Sequence, residues 1–204
     1  MRESIRNLIL GEKGISGSVF FLITFQVLLI ILLMSVEIPR VVGNADLVLN
    51  NAVSEAVRAS AYLVDEESQA NRDFRIKPDE AHERYRTILA KNLKLSDATL
   101  QPMSGSPLSA APHYVFVVFN GTNPYVDAGA IYEDGSFVGN FSGDLPQTYS
   151  ISDFVIVDNN TYNRSFEISS PSCLGLISIE DKAILTNNTS RSVRYAVAEV
   201  KTRD

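Results

Sequence analysis

The chain has 204 residues, with 18 Lys and Arg against 24 Asp and Glu, for a formal net charge of −6. No block of like charge and no basic stripe interleaved with aromatics is present, so nucleic acid is not an expected partner, because neutralising phosphates takes clustered Lys and Arg. The single cysteine, Cys173, excludes an intramolecular disulfide and the stapled class of small secreted domains, and it is read as a free, buried thiol.

In chain order, a short segment over 1–14 is read as cytoplasmic. It is followed by a run from Ile15 to Val36 with no Asp, Glu, Lys or Arg. As a helix this run is roughly 33 Å long, enough to cross a bilayer core of about 30 Å. Thr24, Gln26 and Ser35 are polar but uncharged, and such groups bond back to their own helix or across to a neighbouring one. The run outlasts the apolar core of a cleaved signal, and Ser35-Val36-Glu37-Ile38-Pro39 is no small-x-small cut site. A transmembrane helix over 15–36 is therefore expected, with membrane lipid as a partner. Arg2, Arg6 and Lys13 precede the run, whereas Arg40 alone flanks it closely beyond. The positive-inside rule then places the N-terminus in the cytoplasm and the remainder outside the cell membrane.

Residues 37–94 are expected to form an extracytoplasmic helical stalk. Ala45, Leu49, Ala52, Ala56, Ala59 and Leu63 trace one amphipathic stripe, and Pro39 is expected to kink or break the helix at the membrane surface. Glu55, Arg58, Asp65, Glu66 and Glu67 are read as solvated, with the helix fading near Gln69-Ala70-Asn71. A second helix starts at Pro78, with Asp79 and Glu80 in its first turn and Lys91 and Lys94 in its last. Its apolar face is Ala81, Tyr85, Ile88, Leu89 and Leu93, and His82 is read as a surface residue rather than a ligand.

From Leu95 the period changes to 2, and residues 95–204 are expected to form a β-rich extracytoplasmic domain. Strands are predicted at His113–Phe119, Ala128–Tyr132 and Ser136–Phe141, with Asp134-Gly135 as a hairpin turn. Further strands are predicted at Ser152–Val157, Arg164–Ile168, Leu176–Ile179 with Ala183–Leu185, and Ser192–Lys201. The last is long enough to sit in a sheet centre or to pair with a neighbouring subunit. Helices followed by strands make the fold class α+β, with a mostly antiparallel sheet. Asn-x-Ser/Thr triplets at Asn120, Asn140, Asn159, Asn163, Asn187 and Asn188 point weakly to an exposed exterior.

No catalytic constellation is legible. His82, His113 and Cys173 have no metal-ligand spacing, and neither nucleophile, phosphate-loop nor dinucleotide motifs occur. No enzyme activity, cofactor or metal is expected.

The N-terminal quarter nonetheless carries a pattern. Lys13-Gly14 is followed by Ile15-Ser16-Gly17-Ser18, Val19-Phe20-Phe21 and the apolar run, then Glu37-Ile38-Pro39-Arg40, then Asn51-Ala52-Val53-Ser54-Glu55-Ala56-Val57-Arg58-Ala59. This resembles the TadE-like family, minor pseudopilins of tight-adherence (Flp) pilus systems. The informative positions are Gly14, Glu37, Arg40, Asn51 and Arg58. The resemblance implies a pilin-like fold, processing between Gly14 and Ile15, and a structural or assembly role in a Tad-type surface pilus, related to type IV and type II secretion systems. Its partners would be other pseudopilin subunits and assembly machinery, in a homo- or hetero-oligomer. Phe20 stands where the family has a Glu that meets a neighbour's amino terminus, and Gln26 stands where a Pro is usual. A full-length chain that primes or supports assembly is the alternative to a processed subunit. Two other readings are a membrane-tethered adhesion or binding module, contacting through Pro124-Tyr125 and Thr161-Tyr162, and an archaeal-type pilin.

Overall fold

The computed structural model describes residues 2–156, 160–182 and 189–200; within these, side chains at 2–18, 34, 36–46, 152–156, 160–161, 180–182 and 189–192 lie outside the description. Among the described residues three helices, α1 (Arg2–Ala61), α2 (Glu66–Ala70) and α3 (Pro78–Leu93), precede seven strands. The strands are β1 (His113–Phe119), β2 (Gly129–Glu133), β3 (Ser136–Asn140), β4 (Gln147–Ile156), β5 (Asn160–Ile168), β6 (Ser172–Lys182) and β7 (Thr189–Glu199). The fold is α+β, and every strand pairing among the described residues is antiparallel. Met1–Asn44 and Ala45–Asp204 form two compact units.

In the first unit, α1 carries exposed apolar side chains from Val19 to Leu33. Among the described residues no helix is long and apolar enough to cross a membrane, since this described run is shorter than the roughly 20 residues a crossing takes. The other positions of the expected span, 15–18, 34 and 36, lie outside the described side chains. The helix runs through Pro39 without a break.

In the second unit, a five-stranded sheet has the order β3-β2-β1-β6-β7, and β4-β5 form a separate two-stranded ribbon. One face of the large sheet packs on α1 and α3. There Leu49, Ala52, Val53, Ala56 and Val57 of α1 and Tyr85, Leu89 and Leu93 of α3 are buried with Tyr114, Phe116, Val118, Cys173 and Ile177. The opposite face, with Val117, Phe119, Leu174 and Leu176, is covered by Ile151, Phe166 and Ile168 of the β4-β5 ribbon. Alternation along β1 and β6 thus feeds two cores, one helical and one β. Small residues set the separation of the layers. A Cβ on Gly175 in β6 would stand 2.6 Å from Val57 Cγ2 and 2.8 Å from Tyr85 Cε2, so only glycine lets both helices approach that strand.

The helical tail of α1 ends at Ala61 and does not continue to Asn71 as expected. The chain there turns into a two-strand contact, with Val64 bridging Ile76, Asp65 N–H donating to the Arg75 carbonyl and Lys77 N–H to the Leu63 carbonyl. Asp65 then restarts a helix, its side chain accepting from Ser68 N–H at 2.9 Å as an N-cap. A cap excludes helix on its N-terminal side, which a stripe of apolar spacing does not reveal. Asp65 is accordingly a capping residue rather than a merely solvated one. The helix α3 starts at Pro78, and Lys94 closes it in the left-handed region at φ 53°.

The β1 strand and the Asp134-Gly135 turn lie where the period and turn chemistry place them. Both turn residues have positive φ, 48° and 91°, as a two-residue hairpin turn of the I′ kind requires. The β4 strand begins at Gln147, ahead of the expected Ser152, and β5 begins at Asn160, ahead of Arg164. The β6 strand is continuous from Ser172, while Ala183–Leu185 falls outside the described residues. Among the described residues the β7 strand pairs with β6 alone, so it is an edge of the sheet rather than its centre; pairing with a neighbouring subunit is untested.

Candidate functional site

The described surface holds two features of a kind that mediates contact, one in each unit. The first is the apolar belt of α1. Phe20 and Phe21 are 73% and 72% exposed, and the side chains from Leu22 to Leu33 are exposed on every side of the helix. Exposing Val, Leu, Ile and Phe around a whole helix to water forfeits about 1.5–3 kcal/mol for each side chain left unburied, so this surface demands an apolar partner. Within it the Thr24 hydroxyl donates to the Phe20 carbonyl, and just past it the Ser35 hydroxyl donates to the Leu32 carbonyl, both at 2.8 Å. Those two polar groups are silenced by their own helix.

The second feature is the polar stripe on the later part of α1. Asn51, Glu55 and Arg58 follow the i, i+4, i+7 spacing of one helix face and are all exposed. Asn92 of α3 donates to Glu55 at 2.8 Å. Arg58 also lines a cleft of about 260 Å³ with Tyr62, Phe74, Ala198 and Glu199 of β7 and Val200 just after it. The side chains of Gly14, Ile15, Glu37 and Arg40 lie outside the description, and the five motif positions and Ile15 all fall on α1. The structure therefore places Asn51 and Arg58 on one face and leaves the other four untested.

The histidines differ from their expected setting. His82 is buried rather than on the surface, at 8% exposure. Its ring stacks on Tyr132 with centroids 4.1 Å apart, and its Nε2 shares a hydrogen bond of 2.9 Å with the Tyr114 hydroxyl. The Tyr132 hydroxyl in turn donates to Asp79 at 2.7 Å. Burial, helped by the Arg86 charge, pulls the imidazole down to about 4, so it is neutral at pH 7. Burial likewise pushes the Tyr114 hydroxyl up to about 12 and the Cys173 thiol upward, which leaves that thiol inert as a nucleophile. The signal was present: His82, Tyr85 and Leu89 lie at helix spacing on the buried face of α3. His113 pairs with Asp134 at 2.6 Å beside the β2-β3 turn. Among the described residues no cluster of His, Cys, Asp and Glu could hold a metal.

Two surface expectations also change. Asn120 is fully buried; its amide donates to the Ile76 and Asp127 carbonyls while its oxygen accepts from Ile76 N–H. It is a latch between the α2–α3 connection and β1, and no modifying enzyme can reach it in the folded chain. Asn163 is exposed on β5, while Asn159, Asn187 and Asn188 lie outside the described residues. The Pro124-Tyr125 loop is held by Asn123, whose oxygen accepts from Tyr125 and Val126 N–H. Tyr125 and Tyr162 are both half-buried, and Tyr162 packs against the β core.

Compared with protein-family models, curated proteins and solved structures, the chain matches none.

Proposed function

We propose that the chain is a single-pass membrane protein, pseudopilin-like, that serves as a structural or assembly component of a Tad-type surface pilus. The observation that carries this reading is the apolar belt of α1 from Val19 to Leu33, exposed all round, in a charge-free run from Ile15 to Val36. Lipid or the helices of sister subunits would cover such a belt. The later residues of that helix, Leu49 to Val57, are core to an antiparallel sheet domain, the arrangement that the TadE-like resemblance implies. In this reading the N-terminus is cytoplasmic and the domain from Ala45 onward is extracytoplasmic.

N-terminal sequencing of the membrane-extracted protein tests the role. A start at Ile15 supports processing and entry into a filament; an intact N-terminus supports an unprocessed assembly factor. Deleting the gene should abolish surface filaments in either case. Filaments that persist while adhesion is lost would replace this reading with a tethered binding module.

A further inference from the structure

Of the three polar side chains described between Val19 and Ser35, Thr24 and Ser35 are bonded to their own helix. Gln26 is not: its side chain is exposed, and among the described residues it has no hydrogen-bond partner. We propose that Gln26 is the contact of a parallel helix pair between two copies of this chain, an inference that rests on the membrane reading of α1.

A primary amide has two N–H donors and a carbonyl acceptor. In hydrocarbon none of these is satisfied by lipid, and the cost of leaving them bare drives pairing across helices. Gln26 lies about 10 Å of helix from Val19 and the same from Leu33, too deep for its short side chain to reach the membrane surface. An amide is also complementary to itself, so two copies close a mutual pair of N–H···O bonds without a third partner.

The flanking residues fit a second copy as well. Val19, Leu22, Gln26, Leu29 and Leu33 recur at alternating steps of three and four, the a and d seam of a left-handed helix pair. Those four apolar neighbours are 46–58% exposed, open to a partner along the whole stripe. The bulky rings of Phe20 and Phe21 lie off the seam. Copies inserted by one route share their orientation, so the pair is parallel and Gln26 faces Gln26. One polar residue at an a position fixes such a register, because any slip strands both amides.

The test is oxidative cross-linking of the full chain in phosphatidylcholine–phosphatidylglycerol vesicles, with alkaline-carbonate extraction read in parallel. Cys173 is fully buried and stays silent. Leu29→Cys, on the seam, should give a covalent dimer, whereas Ile31→Cys, on the opposite face, should give several-fold less. Adding Gln26→Leu to Leu29→Cys should lower dimer yield about tenfold at limiting protein density, and Gln26→Asn should retain most of it. Equal cross-linking at both positions, no dimer at Leu29→Cys, or a yield indifferent to Gln26→Leu overturns the pairing while insertion stands. Release of the unsubstituted chain by carbonate overturns the membrane reading itself.

Discussion

The two parts of α1 make opposite use of similar residues. Between Val19 and Leu33 large side chains point outward in all directions and are exposed. Between Leu49 and Ala61 the buried residues are mostly small, and only one face of the helix enters the core. A helix that is apolar all round needs an apolar surrounding, while one with a narrow apolar stripe needs a single packed neighbour. The Ala and Val content of the later part is what lets a sheet approach it closely, and Gly175 is the matching concession on the sheet. Apolar content alone therefore says little; its angular spread around the helix distinguishes a surface meant for a solvent-like partner from one meant for a core.

The sharpest way to break this contrast is to place one carboxylate in each part. Val53→Asp buries an unpaired charge at a fully enclosed position and should cost at least about 4 kcal/mol. The domain should lose cooperative melting by circular dichroism in detergent while membrane attachment persists. Leu29→Asp should do the reverse, leaving the melting of the domain unchanged and weakening insertion by about 3 kcal/mol, read as release by carbonate. If Val53→Asp melts like the unsubstituted protein, α1 is not a core helix.

Next in size is the acid sensitivity of the helix–sheet core. His82 is held down to about 4 by burial and by Arg86, with Asp79 opposing. The unfolded chain then binds the extra proton at a higher pH than the folded one. Stability from this group is complete above about 6.5 and is lost as pH falls through the window down to about 4. The loss is on the order of 3 kcal/mol. Denaturant midpoints between pH 7 and 4.5 should fall less steeply in His82→Gln, which keeps a polar group near Tyr114 without a titrating ring. Parallel slopes would mean that His82 is solvated in solution.

Smaller still is Gly175→Ala. The added methyl must displace Val57 or Tyr85, an overpacking cost of about 1–3 kcal/mol. It should lower the melting midpoint without altering carbonate extraction. Pairing it with Val57→Ala should recover part of the loss, because the nearest clashing methyl is then gone.

How much of this was legible follows from which interactions are local. The start of α3 at Pro78, the β1 strand and the Asp134-Gly135 turn are written in nearest-neighbour chemistry, and each lies where that chemistry points. The end of α1 depends on Val64 meeting Ile76, a contact made across the α2 excursion, so the stripe alone overran it. The edge position of β7 and the burial of Asn120 are set by partners distant in sequence, which spacing cannot name. His82 is different: its place on the buried face was written at helix spacing, and the general habit of histidine for surfaces outweighed it. Of the candidate contact surfaces, the belt was legible because charge-free length is a local property. The exposure of Glu55 and Arg58 was legible for the same reason, since helix spacing is local, whereas the bond from Asn92 of α3 to Glu55 joins residues distant in sequence and was not.

The smallest expected effect on stability is also the one closest to function. Asn51 and Arg58 are exposed on α1 and take no part in the core. Substituting each by Ala removes a solvated side chain from a helix whose best former is Ala, so the melting midpoint should move by no more than about 0.5 kcal/mol equivalent. Val53 and Val57 lie on the same helix within two residues of these positions and fix the fold, so a defect cannot be blamed on lost packing. A loss of filaments in Asn51→Ala with Arg58→Ala, at unchanged stability and expression, would make this stripe a contact for a partner subunit. Unchanged filaments would return both residues to the role of an ordinary solvated face, and with it the TadE-like resemblance at these positions would lose its functional meaning.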